Sequence, residues 1–353
     1  MSIGGHKARF PRKPPLIRYN FLFGSVFFGD MELIRGPAAP RGVQCVVTIG
    51  SFDGIHLGHQ ALIERLKWHG RRLGLPTMML SFEPLPREFL QATDPPARLT
   101  NFRERWRLLA GFGLDRLWLL RFNEALRLSS GSEFMQLLAA ARARVVVVGH
   151  DFHFGRGGEA SAEWCVARSA AFGFEVDVVA PVQVQGERVS SGRVRGALQS
   201  GDFAAAAQLL GRDYSMRGRV RGGQRLGRTL GFPTANIAVN RRRVPLQGVF
   251  AVRVHGTERG PGGQRSSGAA AAPRGVPGVA NLGTRPMVDR GVDSAQMLLE
   301  AHLFDFDGDL YGRELEVQFV ARLRDELKFE SMAAMVAQMH RDAAQARALL
   351  AAG

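Results

Sequence analysis

The first half of the chain alternates short apolar runs with segments of helical periodicity, and this alternation restricts its fold more than any other feature. The apolar runs cover residues 45–49, 77–82, 116–122, 144–148 and 174–179. Apolar residues at helical spacing mark residues 57–72, 102–111 and 132–143. Strands that alternate with helices form βαβ units on a parallel sheet. The pattern therefore predicts an α/β domain.

The pattern changes near Gly211. Short strand-like runs at 250–254, 296–303 and 315–320 follow, separated by Gly and Pro, and helical periodicity returns only at 331–350. This favours a small antiparallel β-barrel closed by a C-terminal helix. Residues 202–210, capped by Asp202, predict a connecting helix. A length of 353 residues suits two domains, which we expect at 31–211 and 212–353.

Two segments fit neither domain. Residues 1–30 carry basic residues and three prolines without periodicity, so we expect a disordered leader, or a natural start of translation at Met31. Residues 256–275 are rich in Gly, Ala, Pro, Arg and Ser. Such a composition buries too little apolar surface to order itself. We interpret this stretch as a flexible insertion between two strands.

The formal net charge is +15, which favours anionic partners such as nucleotides. We expect no nucleic acid partner, because no run of five like charges and no nucleic-acid motif accompanies the charge. We expect no membrane partner either, since no apolar run approaches the roughly 20 residues of a membrane helix. Cys45 and Cys165 lie in apolar surroundings, which predicts two buried thiols in a reducing compartment, the cytoplasm.

The most informative motif is Gly-Ser-Phe-Asp-Gly-Ile-His-Leu-Gly-His at residues 50–59. It joins a predicted buried strand to a predicted amphipathic helix, and ligands of open parallel sheets bind beyond the carboxyl ends of the strands. Glycines let a backbone approach phosphate closely, and a helix start supplies free N–H groups. His56 and His59 are three residues apart and share one side of the first turn, where they can stabilise charge on phosphate oxygens.

A second glycine-rich segment, residues 222–236, ends in Pro-Thr-Ala-Asn. Its glycines suit a loop around a nucleotide, although the Gly-Lys-Ser/Thr ending of a Walker loop is absent. Thr234 and Asn236 face the same side of an extended chain and can present two oxygens to one Mg²⁺. On spacing alone, a simple turn explains the segment equally well.

The motif at 50–59 resembles the His-x-Gly-His signature of nucleotidyltransferases, in the form used by bacterial bifunctional riboflavin kinase/FAD synthetases. Four further segments resemble that family in order. They are Phe-Glu-Pro-Leu-Pro at 82–86, Arg-Leu-Thr at 98–100, Gly-His-Asp-Phe-His-Phe-Gly at 149–155 and Val-Ser-Ser-Gly-Arg-Val-Arg at 189–195. In the last segment, Ser190 and Ser191 can cap a helix and Arg195 can reach a triphosphate.

The second half resembles the riboflavin kinase part of the same family. The segment at 227–236, Asn-Leu-Gly-Thr-Arg-Pro at 281–286 and the strand that begins at Glu300 each resemble a kinase motif. The resemblance implies a Rossmann-like nucleotidyltransferase domain followed by a small β-barrel kinase domain. It implies ATP-dependent phosphorylation of riboflavin to FMN, and adenylyl transfer from ATP to FMN, with Mg²⁺ as cofactor.

The resemblance also assigns roles to residues. His56, His59 and Glu300 are implied to be catalytic, with Glu300 as the base of the kinase, and Thr234 and Asn236 are implied to hold the metal. The implied residues for ATP in the adenylyltransferase are Gly50, Phe52, Asp53, Gly58, Ser190, Ser191 and Arg195. Those for ATP and flavin in the kinase are Gly227, Gly231, Phe232, Pro233, Asn281 and Arg285, and His302 is a further candidate on the face of Glu300.

Two other functions remain open at this point. One is a nucleotidyltransferase that acts on another phosphorylated substrate, such as phosphopantetheine, although the second domain argues against it. The other is a nucleic-acid-binding protein on an inactive fold, although the motif residues argue against that. The sequence leaves the oligomeric state open, including a homo-oligomer.

Overall fold

The computed structural model describes residues 31–40, 42–222, 231–257, 274–285 and 296–351. The predictions about residues 1–30 and about most of 256–275 lie outside these residues.

The first half forms a six-stranded parallel sheet in the order β1-β4-β3-β2-β5-β8. Its strands are β1 (Glu32–Arg35), β2 (Cys45–Ile49), β3 (Thr77–Phe82), β4 (Arg116–Leu120), β5 (Ala143–Gly149) and β8 (Glu175–Val179). Two short antiparallel pairs lie outside the sheet, namely β6 (His153–Phe154) with β7 (Ala160–Ser161), and β9 (Gln183–Val184) with β10 (Glu187–Arg188). Every residue of β2 and β3 is buried, as expected for a sheet covered on both faces.

Eight α-helices accompany these strands in the described part of the first half. They are α1 (Leu57–Leu73), α2 (Pro86–Leu90), α3 (Phe102–Gly111), α4 (Glu124–Leu128), α5 (Gly131–Ala140), α6 (Ala162–Arg168), α7 (Ser191–Ser200) and α8 (Phe203–Leu210). Side chains of α1 such as Ile63 and Leu66 pack on one face of the sheet. Side chains of α5 and α6, including Leu138 and Cys165, pack on the other.

The second half forms a closed antiparallel barrel in the order β11-β12-β15-β14-β13-β16. Its strands are β11 (Ser215–Arg221), β12 (Thr234–Ala238), β13 (Gly248–His255), β14 (Val276–Arg285), β15 (Gln296–Leu303) and β16 (Glu314–Arg324). Apolar side chains alternate into the barrel, for example Ala235 and Ile237 of β12. Helix α9 (Met332–Ala351) packs outside β13 and β14, and Arg324 pairs there with the buried Asp342 at 2.8 Å.

The two halves share one apolar core. Phe203 of α8 packs edge-on against Phe250 of β13 and stacks on Phe319 of β16, with ring centroids 5.9 and 6.3 Å away. Leu99 of the first half belongs to the same cluster. Helix α8 therefore packs against the barrel and joins it to the first half of the chain.

The predicted architecture is confirmed, with differences at particular elements. Strand β1 was not predicted, because four residues with charge at both ends give no periodic signal. The helix expected at 132–143 ends at Ala140 instead, since Arg142 adopts φ 58° and the next strand begins at Ala143. Both cysteines are buried and unpaired, as predicted.

The aromatic contact at the barrel end gives a stability prediction. Phe250→Ala should lower the free energy of unfolding by about 3–5 kcal/mol, because a large buried ring is replaced by a cavity. Leu327→Ala, at a side chain that is 53% exposed, should change it by less than about 0.5 kcal/mol. Chemical denaturation followed by circular dichroism measures both variants. Equal effects of the two substitutions would contradict the assigned packing.

Candidate active sites

The glycine-rich loop 50–59 lies at the topological switch point of the parallel sheet. From β2 the chain continues through β3 and β4 on one side, and β5 then returns to the other side of β2. Ligands of open α/β sheets bind outside the carboxyl ends of strands at such a point. Gly50 donates its N–H to Leu80 at the end of β3, so the loop begins at this edge. Its last residues form the start of α1.

The two histidines of this loop stack on each other. The His56 and His59 rings lie 3.7 Å apart between centroids and are nearly parallel. His56 is the N-cap of α1, and its Nδ1 accepts the backbone N–H of His59 at 3.3 Å. A Cβ atom at Gly58 would lie 3.2 Å from the His56 ring. A glycine at 58 therefore leaves room for the stacked pair.

Both imidazoles are neutral at pH 7. Burial lowers the pKa of His56 to about 4, against a smaller opposing effect of Asp53. Burial, with the nearby His56 and Arg105, lowers the pKa of His59 well below its ordinary value. Since His56 accepts a hydrogen bond at Nδ1, its proton lies on Nε2. Nδ1 of His59 is buried without a partner among the described residues.

The loop backbone is strained between Phe52 and Ile55. Phe52 and Ile55 have φ of 48° and 44°, and Gly54 between them has φ 83°. A Cβ atom at Gly54 would lie 2.7 Å from Leu99. The Phe52 ring is fully buried and lies 4.9 Å from the His59 ring. Such strain persists only where the surroundings determine the conformation.

The Asp53 carboxylate holds this conformation. It is 2% exposed and accepts the N–H groups of Leu99 at 3.0 Å and Thr100 at 2.9 Å. Arg195 donates to the same carboxylate at 2.7 Å and also to the carbonyl of Ala97. Asp53 thus joins the loop to two distant segments of the chain. The part in ATP binding that the sequence predicts for Asp53 stays a prediction.

Helix α7 begins against the same loop. Ser190 is its N-cap and accepts the N–H of Arg193 at 3.2 Å. Ser191 does not cap the helix, contrary to the sequence interpretation, because its hydroxyl donates to the carbonyl of Asp53 at 2.9 Å. The starts of α1 and α7 therefore meet at one loop, which places two sets of helix N–H groups at one site.

The second group of predicted residues lies on the outer face of the barrel. Asn236 of β12 and Asn281 of β14 both stand directly opposite Glu300 of β15. Thr234 stands opposite His302 in the same way. Directly opposed residues share a face, with Cβ atoms about 5 Å apart. The register thus brings Thr234, Asn236 and Glu300 to one face, and Thr234 and Asn236 share that face as their spacing predicts.

Aromatic and imidazole rings surround the segment before β12. His302 Nδ1 donates to the carbonyl of Pro233 at 2.9 Å. The Phe232 ring lies 5.0 Å from the His302 ring and 4.8 Å from that of His340 on α9. His340 was missed by sequence reasoning, since it is one His on a long helix. The C-terminal helix therefore supports the Pro233–Thr234 segment from outside.

Three more of the predicted kinase residues lie in the described part of the barrel: Gly231, Asn281 and Arg285. Asn281 Nδ2 donates to Glu326, and its buried Oδ1 has no partner among the described residues. Gly231 has φ 77° and turns the chain into β12. Arg285 ends β14. The prediction for Gly227 lies outside the described residues.

A cavity of about 440 Å³ opens beside Thr234. It is also lined by Asp307, Asp309 and Tyr311, from the loop after β15. Small-molecule sites are commonly 300–1,000 Å³ in volume, so this cavity has room for part of a nucleotide. Sequence reasoning did not assign the two aspartates, because carboxylates in a loop are usually solvated.

The low pKa of His56 gives a direct prediction. At pH 5.5 an imidazole with an ordinary pKa of about 6.5 is about 90% protonated, whereas we expect His56 to keep the ring signals of a neutral imidazole in NMR spectra. Between about pH 6.5 and pH 4 the unfolded chain binds a proton that the folded chain does not. The free energy of unfolding should therefore fall as the pH falls through this window. A His56 titration midpoint near 6.5 would contradict the prediction.

Two family models match the first and the second half of the chain in turn. Residues 39–193 match the family model for FAD synthetase, and residues 210–350 match that for riboflavin kinase. Among the described residues, no helix is long and apolar enough to cross a membrane. A crystal structure titled as a macrolide-efflux protein from Streptococcus pneumoniae is 30% identical, with a TM-score of 0.69, and covers 88% of this chain and 97% of its own.

Two related proteins match nearly end to end. The bifunctional riboflavin kinase/FMN adenylyltransferase of Pseudomonas fluorescens is 42% identical over 91% of this chain and 98% of its own. The protein of the same name from Escherichia coli K12 is 39% identical over 90% and 97%. The chain therefore belongs to the bifunctional riboflavin kinase/FMN adenylyltransferase family: with ATP it phosphorylates riboflavin to FMN, and it adenylylates FMN to give FAD and pyrophosphate.

Proposed function

We propose that the two reactions occur at two separate sites, adenylyl transfer at the loop 50–59 and phosphoryl transfer on the outer face of the barrel. The observation that supports the first site is the neutral, stacked pair of His56 and His59 at the start of α1. The observation that supports the second is the opposed pair of Asn236 and Glu300. The domains on this proposal are 31–211 and 212–353.

At the first site, an oxygen of the FMN phosphate attacks the α-phosphorus of ATP. The bond from that phosphorus to the bridging oxygen breaks, and pyrophosphate leaves. The Nε2–H of His56 and the N–H groups at the starts of α1 and α7 stabilise the negative charge on the oxygens. His59, which is stacked on His56, contacts the substrate beside it. Arg195 binds the triphosphate, and Gly50, Gly58, Ser190 and Ser191 shape the site around it.

At the second site, Glu300 takes the proton of the primary hydroxyl of riboflavin. The hydroxyl oxygen then attacks the γ-phosphorus of ATP, and ADP leaves. A carboxylate can act in this way when it lies near the hydroxyl. Phe232, Pro233 and Asn281 contact the flavin and the nucleotide, together with Gly227, Gly231 and Arg285. His302 orients Pro233 through the hydrogen bond described above.

The residues at the second site fit Mg²⁺. The hydroxyl of Thr234 and the amide oxygen of Asn236 are hard oxygen donors on one face of β12. Mg²⁺ is usually held by few protein oxygens together with substrate phosphates and water. Thr234 and Asn236 would hold the ion, which supplies positive charge to the phosphates of ATP when it is bound.

We further propose that the protein acts in the cytoplasm. Two buried free thiols, Cys45 and Cys165, suit a reducing compartment. Formation of a homo-oligomer and the lack of a nucleic acid partner remain predictions, which sedimentation and DNA-binding measurements at several salt concentrations would test.

The two-site proposal predicts separable losses. Glu300→Gln should lower FMN formation by about 10²–10⁴-fold, because it removes the base, and should leave FAD formation from supplied FMN within about twofold. His59→Ala should do the reverse. Both activities are measured separately by HPLC of the flavin products.

Matched controls separate chemistry from folding. Glu330→Gln replaces an exposed carboxylate, and His69→Ala removes another buried histidine of α1, one that is paired with Asp177. When assayed below their own melting temperatures, both control variants should keep both activities. Loss of both activities in Glu300→Gln, at unchanged melting temperature, would contradict separate sites.

The metal proposal has its own test. Asn236→Ala should raise the Mg²⁺ concentration for half-maximal FMN formation by at least about tenfold, since even partners outside the metal's ligands contribute that much to affinity. FAD formation from FMN in the same sample serves as the control and should keep its Mg²⁺ dependence. An unchanged Mg²⁺ requirement of the kinase reaction would remove Asn236 from the metal site.

A further inference from the structure

The peptide group that joins Leu99 to Thr100, called the Leu99 peptide below, links the adenylyltransferase loop to the kinase barrel. Its N–H, that of Thr100, donates to the carboxylate of Asp53 at 2.9 Å. Its carbonyl accepts the Arg241 guanidinium at 2.9 Å and the Tyr214 hydroxyl at 3.1 Å. Arg241 and Tyr214 belong to the second half of the chain, so one peptide is held from both sides of the interface.

A buried carboxylate fixes Arg241 in this position. Glu104 of α3 accepts the N–H groups of Asn101 and Arg217, each at 2.7 Å, and also forms an ion pair with Arg241. The Glu104 and Arg241 side chains are 6% and 0% exposed. A buried ion pair adds little net stability compared with apolar packing. Its clearest effect is therefore to define where the guanidinium and Leu99 lie.

A second arginine, Arg212, lies directly after the first domain and contacts the strained loop itself. Arg212 donates to the carbonyl of Gly54 at 2.7 Å and to that of Ile55 at 3.2 Å. Gly54 and Ile55 are two of the three residues of the loop 50–59 that have positive φ. Arg212, which follows the first domain in the sequence, thus holds the backbone of the adenylyltransferase loop.

We propose that Arg241, on the kinase barrel, is a positioning residue of the adenylyltransferase site. By fixing the Leu99 peptide, it sets the position of Asp53, and Asp53 in turn orients Arg195 toward the triphosphate of ATP. The proposal rests on the proposed ATP-binding role of Arg195. The proposal concerns adenylyl transfer and not the kinase reaction. This holds although Arg241 lies only three residues beyond the end of β12, the strand that carries Thr234 and Asn236.

The chain offers a matched control two residues away. Arg243 also crosses between the two halves, where it pairs with Asp94 and donates to the carbonyl of Pro95. Its side chain is 52% exposed, and these side-chain contacts do not include Leu99 or Asp53. Arg243→Gln therefore removes an interface arginine without disturbing the Leu99 peptide.

The test compares steady-state kinetics of the full-length variants. Arg241→Gln should raise the KM for ATP in FAD formation by about tenfold or more, as expected for loss of a hydrogen bond from a charged donor. Its riboflavin kinase kinetics should stay within about twofold of wild type. Tyr214→Phe, which removes one hydroxyl, should shift the same KM in the same direction by a smaller factor. Arg243→Gln should match wild type.

Several results would overturn the proposal. They are an unchanged KM for ATP in Arg241→Gln, a fall in kcat alone, or an equal loss of both activities that follows the melting temperature. If Arg241→Gln does not fold, Tyr214→Phe is judged by the same criteria. Arg195→Gln is the reference variant. An unchanged KM for ATP in Arg195→Gln would refute its proposed role, whereas a raised KM there with none in Arg241→Gln would refute only the positioning by Arg241.

Discussion

The buried carboxylate of Asp53 is the interaction on which the adenylyltransferase half depends. A carboxylate removed from water is strongly unfavourable unless it is paired and hydrogen-bonded. Leu99, Thr100 and Arg195 together meet that requirement. Each of these donors lies more than 40 residues from Asp53. The strained loop can therefore form only when the segment before α3 and the start of α7 are both in place.

The two proposed sites differ in the structural elements that build them. At the loop 50–59, parallel strands and two helix starts supply N–H groups, and burial keeps both histidines neutral. That environment suits stabilisation of charge on phosphate without proton transfer by the protein. On the barrel, antiparallel register sets Asn236 beside Glu300. That pairing combines an oxygen donor with a carboxylate, which suits a reaction in which a hydroxyl loses its proton.

Sequence reasoning predicted what local pattern determines. Continuous apolar runs predicted β2 and β3, and apolar residues at helical spacing predicted α1. The shared face of Thr234 and Asn236 followed from the twofold alternation along a strand. Local pattern failed for β1, which is too short to show periodicity, and for Ser191, whose hydroxyl bonds to Asp53 rather than capping its own helix. The contacts of Arg212 and Arg241 were beyond prediction, since they join residues about 140 or more positions apart.

One experiment tests most directly the claim that a single chain carries out both reactions in sequence. The purified protein is incubated with riboflavin, ATP and Mg²⁺, and the flavins are separated by HPLC at successive times. The two-site account predicts that FMN appears first and then declines as FAD accumulates. If FMN formed and never converted to FAD, or if the folded protein formed no flavin product beside an active control enzyme, the account would be wrong.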